Sequence, residues 1–265
     1  MDIPAEIGEI LQGRPFLPVT PGFSGAEIRR YPGEPDLYLK MMPKPANASL
    51  RHEAEVMIWL RGKLPVPEVL AFAVNPTAEF LLMTALTGNS FLTAGMKNPT
   101  AAAAMFAAGL RQVHSVPIQD CPLDMRAEKK IQLAQDALNH GLVKPEYFSE
   151  SRRGLTAESL RPLLLSARIP NEDLVFTHGD YCFPNVFIQE GKTSGFLDFN
   201  HGGVADRYQD LATGARSLYY NVSEVFHYNR QTGNRAVETF FEAYGLDRVD
   251  EEKIRFYRLL DDFFR

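Results

Sequence analysis

The sequence predicts an α+β chain of two lobes, a small first lobe rich in strands with one helix and a larger, mainly helical second lobe. Three observations carry this. The first third alternates short apolar runs with turn residues and holds a single helical stretch. From about Thr100 onward the apolar spacing is helical, beginning with AAAAMFAAGLRQVH. A single segment of that helical region, Phe176 to Asn200, reverts to strands.

Taken in order, TPGFSGAE reads as a turn and DLYLKMM as a strand with period two. A helix follows over Ser49 to Arg61, and AEFLLMTAL is a further strand. The Thr, Gly, Asn and Ser of TALTGNSFL mark a connecting loop, Thr84 to Leu92. The expected division is therefore residues 1–83 for the first lobe, 84–92 for the linker and 93–265 for the second lobe.

Composition narrows the function classes. With 45% apolar and 23% charged residues, the 265-residue chain has the make-up of a globular protein with a substantial core rather than a disordered one. A formal net charge of -5 argues against a nucleic-acid partner, which calls for a basic face. MDIPAEIGEI has neither the basic nor the apolar region of a signal peptide, and no apolar run reaches the ~18 residues of a membrane span. Cys121 and Cys182 are the only cysteines and have no metal-ligand or disulfide spacing, so a reduced, cytoplasmic protein without a membrane partner is expected.

The stretch FTHGDYCFPNVFIQEGKTSGFLDFN holds the chemistry. VFI, the turn EGKT and SGFLD form a hairpin with arms of nearly equal length, each spanning ~20 Å at ~3.3 Å per residue. Its two ends meet, which brings Asn185 beside Asp198 and leaves Asp180 in the loop just before them. Asp and Asn favour turns, so any one of the three alone reads as a turn or cap residue. Three oxygen-bearing side chains at one loop suit a hard cation that completes its shell with water and phosphate, with Asn185 and Asp198 as ligands. Asp180 is then free to orient a hydroxyl and accept its proton. The spacing D-x-x-x-x-N, hairpin, D-F is that of the protein-kinase catalytic segment, which also demands a strand Lys paired with a helix Glu.

Both are present. On DLYLKMM, Tyr38 and Lys40 share the face opposite Leu37 and Leu39. At 100° per residue Glu53 sits within the arc of Leu50, Val56, Met57 and Leu60, where a lone carboxylate is costly unless paired, and Lys40 is the obvious partner. His178 is expected to brace the loop, Asp206 to cap the helix beginning at DRYQDLATGA, and Asp210 to be structural. Cys182 is a bystander.

These residues, in THGDYCFPNVFIQEGKTSGFLDFNHGGVADRYQDLA together with RHEAEVMIWLRGKLPVPEVL and KIRFYRLLDDFFR, resemble the aminoglycoside 3'-phosphotransferases, enzymes of protein-kinase-like fold. The resemblance spans nearly the whole chain in order. It implies Asp180 as catalytic base, Asn185 and Asp198 on Mg²⁺, Lys40 on the nucleotide phosphates and Glu53 orienting it. It further implies Ser24 in the nucleotide loop, Tyr38 stacked on the adenine, and backbone hydrogen bonds from Thr84 and Leu86. ATP is the expected donor, with GTP as the alternative.

On the acceptor side, Glu146, Glu150, Asp261 and Asp262 are the carboxylates expected to meet a polycationic substrate. The pattern is thinner than in the family: GLVKPEYFSESRRG carries three bases, Lys144, Arg152 and Arg153, against two acids. Tyr220 and Asn221 stand where relatives often have acids, and His201 where many have Arg. The expected function is ATP-dependent O-phosphorylation of a small hydroxylated molecule, an aminoglycoside at its 3'-hydroxyl, by a monomer or weak homodimer. The alternatives are a kinase of the same fold for another antibiotic, sugar or nucleoside-like acceptor, and a nucleotide-binding protein without catalysis.

Overall fold

The computed structural model describes residues 2–19, 25–46, 49–167 and 171–264. Helix α1 (Ala5–Leu11) is followed by strands β1 (Leu17–Val19), β2 (Glu27–Tyr31) and β3 (Leu37–Pro43), helix α2 (Leu50–Leu60), and strands β4 (Val69–Val74) and β5 (Ala78–Thr84). The strands form one antiparallel sheet in the order β1-β2-β3-β5-β4.

The period-two pattern of β3 places its side chains. Leu37, Leu39 and Met41 pack with Phe80 and Leu82 on one face, which α1 covers with Ile7 and Leu11. Tyr38 and Met42 belong instead to the core shared with α2 and the helical lobe. Helix α1 goes beyond the single helix expected in the first lobe. In AEIGEIL only Ile7 and Leu11 mark the buried face, too little periodicity to register. Helix α2 starts where the Ser49 side chain accepts from His52 N, and Glu79 Oε2 accepts from Leu50 N at 2.8 Å, an anion at the positive end of the helix.

The second lobe contains β6 (Asn89–Ser90), α3 (Pro99–His114), α4 (Ala127–Asn139), α5 (Ala157–Ser166), β7 (Leu174–Thr177), β8 (Val186–Gln189), β9 (Lys192–Phe196), β10 (Gly203–Asp206), α6 (Tyr208–Tyr220), α7 (Arg230–Tyr244) and α8 (Glu251–Asp261). The segment expected to be a plain linker, Thr84 to Leu92, contains β6, which adds to the catalytic hairpin through Asn89 opposite Ile188 and Ser90 opposite Phe187. The β8–β9 hairpin turns at Glu190 and Gly191, both at positive φ (50° and 74°), as a two-residue turn requires. Helix α6 is buried along most of its length and packs against α7 and α8. Phe106 of α3 contacts Tyr181, Phe183 and Phe240, so an aromatic core lies directly beneath the loop that carries Asp180. Among the described residues no helix is long and apolar enough to cross a membrane.

Candidate active site

Two β-pairings assemble the site. Leu197 N donates to Asn185 O at 2.9 Å, closing the open end of the β8–β9 hairpin. Strands β7 and β10 pair antiparallel with Thr177 opposite Gly203, so the loop 178–185 runs alongside 198–202. Asp180, Asn185 and Asp198 consequently line one cleft of about 2500 Å³ together with Lys40 of β3.

Lys40 Nζ lies 2.9 Å from Glu53 Oε2 and 3.1 Å from Asp198 Oδ1. Both Lys40 and Glu53 are almost wholly buried, which answers the helix-wheel expectation that this carboxylate needs a cation. Burial opposes the Lys40 charge, but the two carboxylates outweigh it and hold the ammonium above its ordinary value. Burial pushes Glu53 up to about 7, with Lys40 pulling down and Asp198 adding to the rise. Burial also raises Asp198, yet Lys40 and His178 hold it below the ordinary carboxylate range.

Asp198 has a left-handed backbone, φ 64°, and the Asn200 side-chain amide donates to its Oδ1 in a short contact. Lys40 meets the same oxygen, so Oδ2 is left for another partner. Asn185 Nδ2 donates to Asp180 O at 3.0 Å and to Asp180 Oδ2 at 3.2 Å, which fixes the amide and leaves Asn185 Oδ1 without a protein partner among the described residues. Asp180 is raised above its ordinary value by burial and by Asp198, with His178, Arg216 and Lys130 opposing.

Behind this front row stands Asp210 of α6. Its Oδ2 accepts from His178 N at 2.6 Å and its Oδ1 from Gly179 N at 2.8 Å, and His114 Nε2 of α3 lies 3.1 Å from Oδ2. The carboxylate clamps the backbone just ahead of Asp180. His178 is buried and stacks on Phe199 at 4.4 Å, bracing the same loop, and burial keeps its pKa low. Only glycine fits at 179: its φ is 87°, and a Cβ would stand 2.0 Å from His201 O. Asp206 Oδ1 accepts from Tyr208 N at 2.8 Å at the start of α6, the capping role expected of it.

The other expected positions divide. Glu146, Glu150 and Asp261 line the cleft, and Asp261 pairs with Arg216 at 2.5 Å. Asp262 does not line it: the side chain is fully buried and accepts from Ser149 N at 2.9 Å, from Ser149 Oγ at 3.0 Å and from Arg152 Nε. Its expected substrate contact is thus corrected to an anchor for the loop that carries Glu146 and Glu150. The surplus positive charge counted in that loop shrinks too, because Arg152 is neutralised by Asp262. The Thr84 N–H goes to Glu68 O at 3.0 Å, closing the sheet edge, so any backbone hydrogen bond this residue offers a base is through its carbonyl. Leu86 rests its side chain close against Gly195, while Tyr38 is half-buried beside Met83 of β5. Ser24 and its turn lie outside the described residues, as does Arg265.

Sequence reasoning passed over Asn200, Arg216 and Lys130, all on the cleft wall. Lys130 carried the same signal as Glu53, one charge on the buried arc Ala127, Ala134, Ala137 and Leu138 of α4. His201, 4.8 Å from the Phe264 ring, is held down to about 3 by burial, Lys130 and His52, so it is neutral where an arginine would be charged.

Comparison with known proteins agrees with this geometry. The pattern of the phosphotransferase enzyme family matches residues 16–257. The aminoglycoside 3'-phosphotransferase of Niallia circulans is 40% identical over 98% of this chain and 97% of its own length, and that of Streptomyces fradiae is 36% identical over 93% and 94%. Among solved structures, an aminoglycoside-3'-phosphotransferase of type VIII superposes with a TM-score of 0.81 at 30% identity, covering 95% of this chain and 94% of that one. The aminoglycoside phosphotransferase APH(3'')-Id from Streptomyces rimosus gives 0.82 at 25% identity, covering 98% and 96%. The chain belongs to the phosphotransferase enzyme family, among the aminoglycoside 3'-phosphotransferases, and has their protein-kinase-like fold.

Proposed function

We propose that the chain transfers the γ-phosphoryl group of Mg·ATP to the 3'-hydroxyl of an aminoglycoside. The observation that carries this is the meeting, in one cleft, of Asp180 with Asn185, Asp198 and the buried Lys40–Glu53 pair. Lys40, held in place by Glu53 and Asp198, binds nucleotide phosphate. Asn185 Oδ1 and Asp198 Oδ2 are the two oxygens available to a divalent cation, and the rest of its shell comes from phosphate and water, the habit of Mg²⁺. Among the described residues no cluster of three His, Cys, Asp or Glu could hold a metal, which fits a site completed by substrate. When bound, the metal neutralises charge developing on the transferred phosphoryl group.

Asp180 orients the acceptor hydroxyl and takes its proton as the oxygen–phosphorus bond forms. Its raised pKa strengthens it as a base, while the Asn185 amide keeps the carboxylate aimed. Glu146, Glu150 and Asp261 offer negative charge to the ammonium groups of the acceptor, with Asp261 moderated by Arg216. A protein that only binds nucleotide has no use for a half-buried carboxylate aimed by Asn185 at the Asp180 position. Work on ATP fits the cytoplasmic, reduced setting expected from Cys121 and Cys182, both free thiols.

The test is ADP release from Mg·ATP across 4,5- and 4,6-linked aminoglycosides, including members without a 3'-hydroxyl. Turnover confined to compounds bearing that hydroxyl is expected. Equal turnover without it, or silence across the panel while ATP still binds, would overturn the assignment of the acceptor.

A further inference from the structure

The protein-kinase segment ends its metal-binding triplet, D-F-G, on a residue without a side chain. In this chain the triplet is Asp198-Phe199-Asn200, and Asn200 is only 9% exposed. Its Nδ2 donates to Asp198 Oδ1, the same oxygen that lies 3.1 Å from Lys40 Nζ. Turning the amide over would set its oxygen against a carboxylate oxygen, so the donor end must face Asp198. The other end, Asn200 Oδ1, is buried and has no partner among the described residues. A buried carbonyl oxygen left unpaired costs stability. The amide is therefore not explained by what it adds to the fold, and the one hydrogen bond of its side chain serves Asp198.

The loop backbone is held by other contacts. Phe199 is fully buried and stacks on His178 at 4.4 Å, and Gly202 N donates to Phe199 O at 3.0 Å. Gly202 O lies 2.8 Å from His52 Nε2, which ties the loop to α2. What these contacts leave loose is the Asp198 carboxylate, because rotation about χ2 of an aspartate is broad. With Lys40 as its only donor, the carboxylate is free to swing and to offer the ammonium either oxygen. Two donors on Oδ1 stop that exchange and reserve Oδ2 for an ion.

We propose that Asn200 is a positioning residue for the divalent ion: its amide locks the Asp198 carboxylate and thereby sets the affinity of the site for the metal. This rests on the reading of the cleft as a Mg·ATP site. Hydrogen-bond partners of a ligating carboxylate typically carry about 10- to 100-fold in metal affinity, and Asn200 is such a partner here.

Binding of Mn²⁺ tests it without turnover. With protein in excess over the non-hydrolysable analogue AMP-PNP, so that the nucleotide stays bound, electron paramagnetic resonance gives the free Mn²⁺ at which half of the complexes hold the ion. Asn200→Ala should raise that concentration by about tenfold or more, while the Kd of AMP-PNP in EDTA moves less than about twofold. Asn200 does not have a positive φ, so alanine fits the backbone. Asn200→Gly, which restores the kinase triplet, should behave in the same way and serves as the second variant. A half-saturation point unmoved in a folded variant would overturn the proposal and leave the kinase reading intact. Equal weakening of the nucleotide in EDTA would also overturn it, because the side chain would then be supporting the cleft as a whole. A wild-type chain that binds AMP-PNP but holds no Mn²⁺ beside it would remove the Mg·ATP reading, and the proposal with it.

Discussion

Asp180→Ala should lower kcat by about 10³-fold, the scale of a lost general base, while the KM for ATP moves less than about threefold. The separation follows from how Asn185 is held. Its amide donates to the Asp180 side chain but also, at 3.0 Å, to the Asp180 backbone carbonyl, and the second contact survives the substitution. Lys40, Glu53 and Asp198 do not depend on the Asp180 side chain for their geometry. Nor should stability suffer, since the removed carboxyl is partly desolvated and disfavoured in its charged form. Steady-state kinetics with binding of a fluorescent nucleotide analogue checks both halves. Retained turnover would remove Asp180 from the role of base, and lost nucleotide binding would make its role structural.

The largest stability effect is expected at Asp210. Asp210→Ala leaves the His178 and Gly179 amides and the His114 ring without their acceptor inside the protein, a loss of about 3–5 kcal/mol by comparison with other broken buried charge contacts. For a chain of this size that is a fall in Tm on the order of 10 °C. Asp210→Asn keeps one acceptor oxygen and should lose less. The pH dependence has a definite sign. Burial raises the Asp210 carboxyl, but the contacts from His114 and His178 outweigh it, and its pKa is lowered on folding. Its stabilisation is therefore present above the ordinary carboxylate value of 3.8 and is lost as pH falls through the lowered one. The Tm gap between wild type and Asp210→Ala should accordingly narrow in acid. A gap below about 2 °C at neutral pH would contradict the clamp. Because the clamp sets the backbone ahead of Asp180, kcat should fall with it.

What was legible in the sequence follows from the range of the interactions. The alternation of Leu37, Leu39 and Met41 against Tyr38 and Lys40 is local, and so is the hairpin that joins Asn185 to Asp198. Glu53 was legible because a helix face exposes an ill-placed charge, and its partner lay on the preceding strand. Lys130 announced itself in the same way, but it has no such partner nearby in the chain and so suggested no pairing. The acceptor side was the least legible. Asp261 and Asp262 are adjacent and chemically alike, yet one reaches the cleft and the other is buried against Ser149 and Arg152, more than a hundred positions away. Only the packing of α8 against the loop decides which is which. The Thr84 amide is likewise claimed by Glu68 through strand pairing, which composition does not reveal.

The position of the new phosphate is the most direct test of the account. Kanamycin A treated with Mg·ATP and the protein should give a product whose phosphorus couples to the proton on C3' in a ³¹P–¹H correlation spectrum, with one phosphate per molecule. That result would join the cleft, the metal oxygens and Asp180 to a single hydroxyl. Coupling to a proton at another carbon, or phosphate released to water with the antibiotic unchanged, would contradict it.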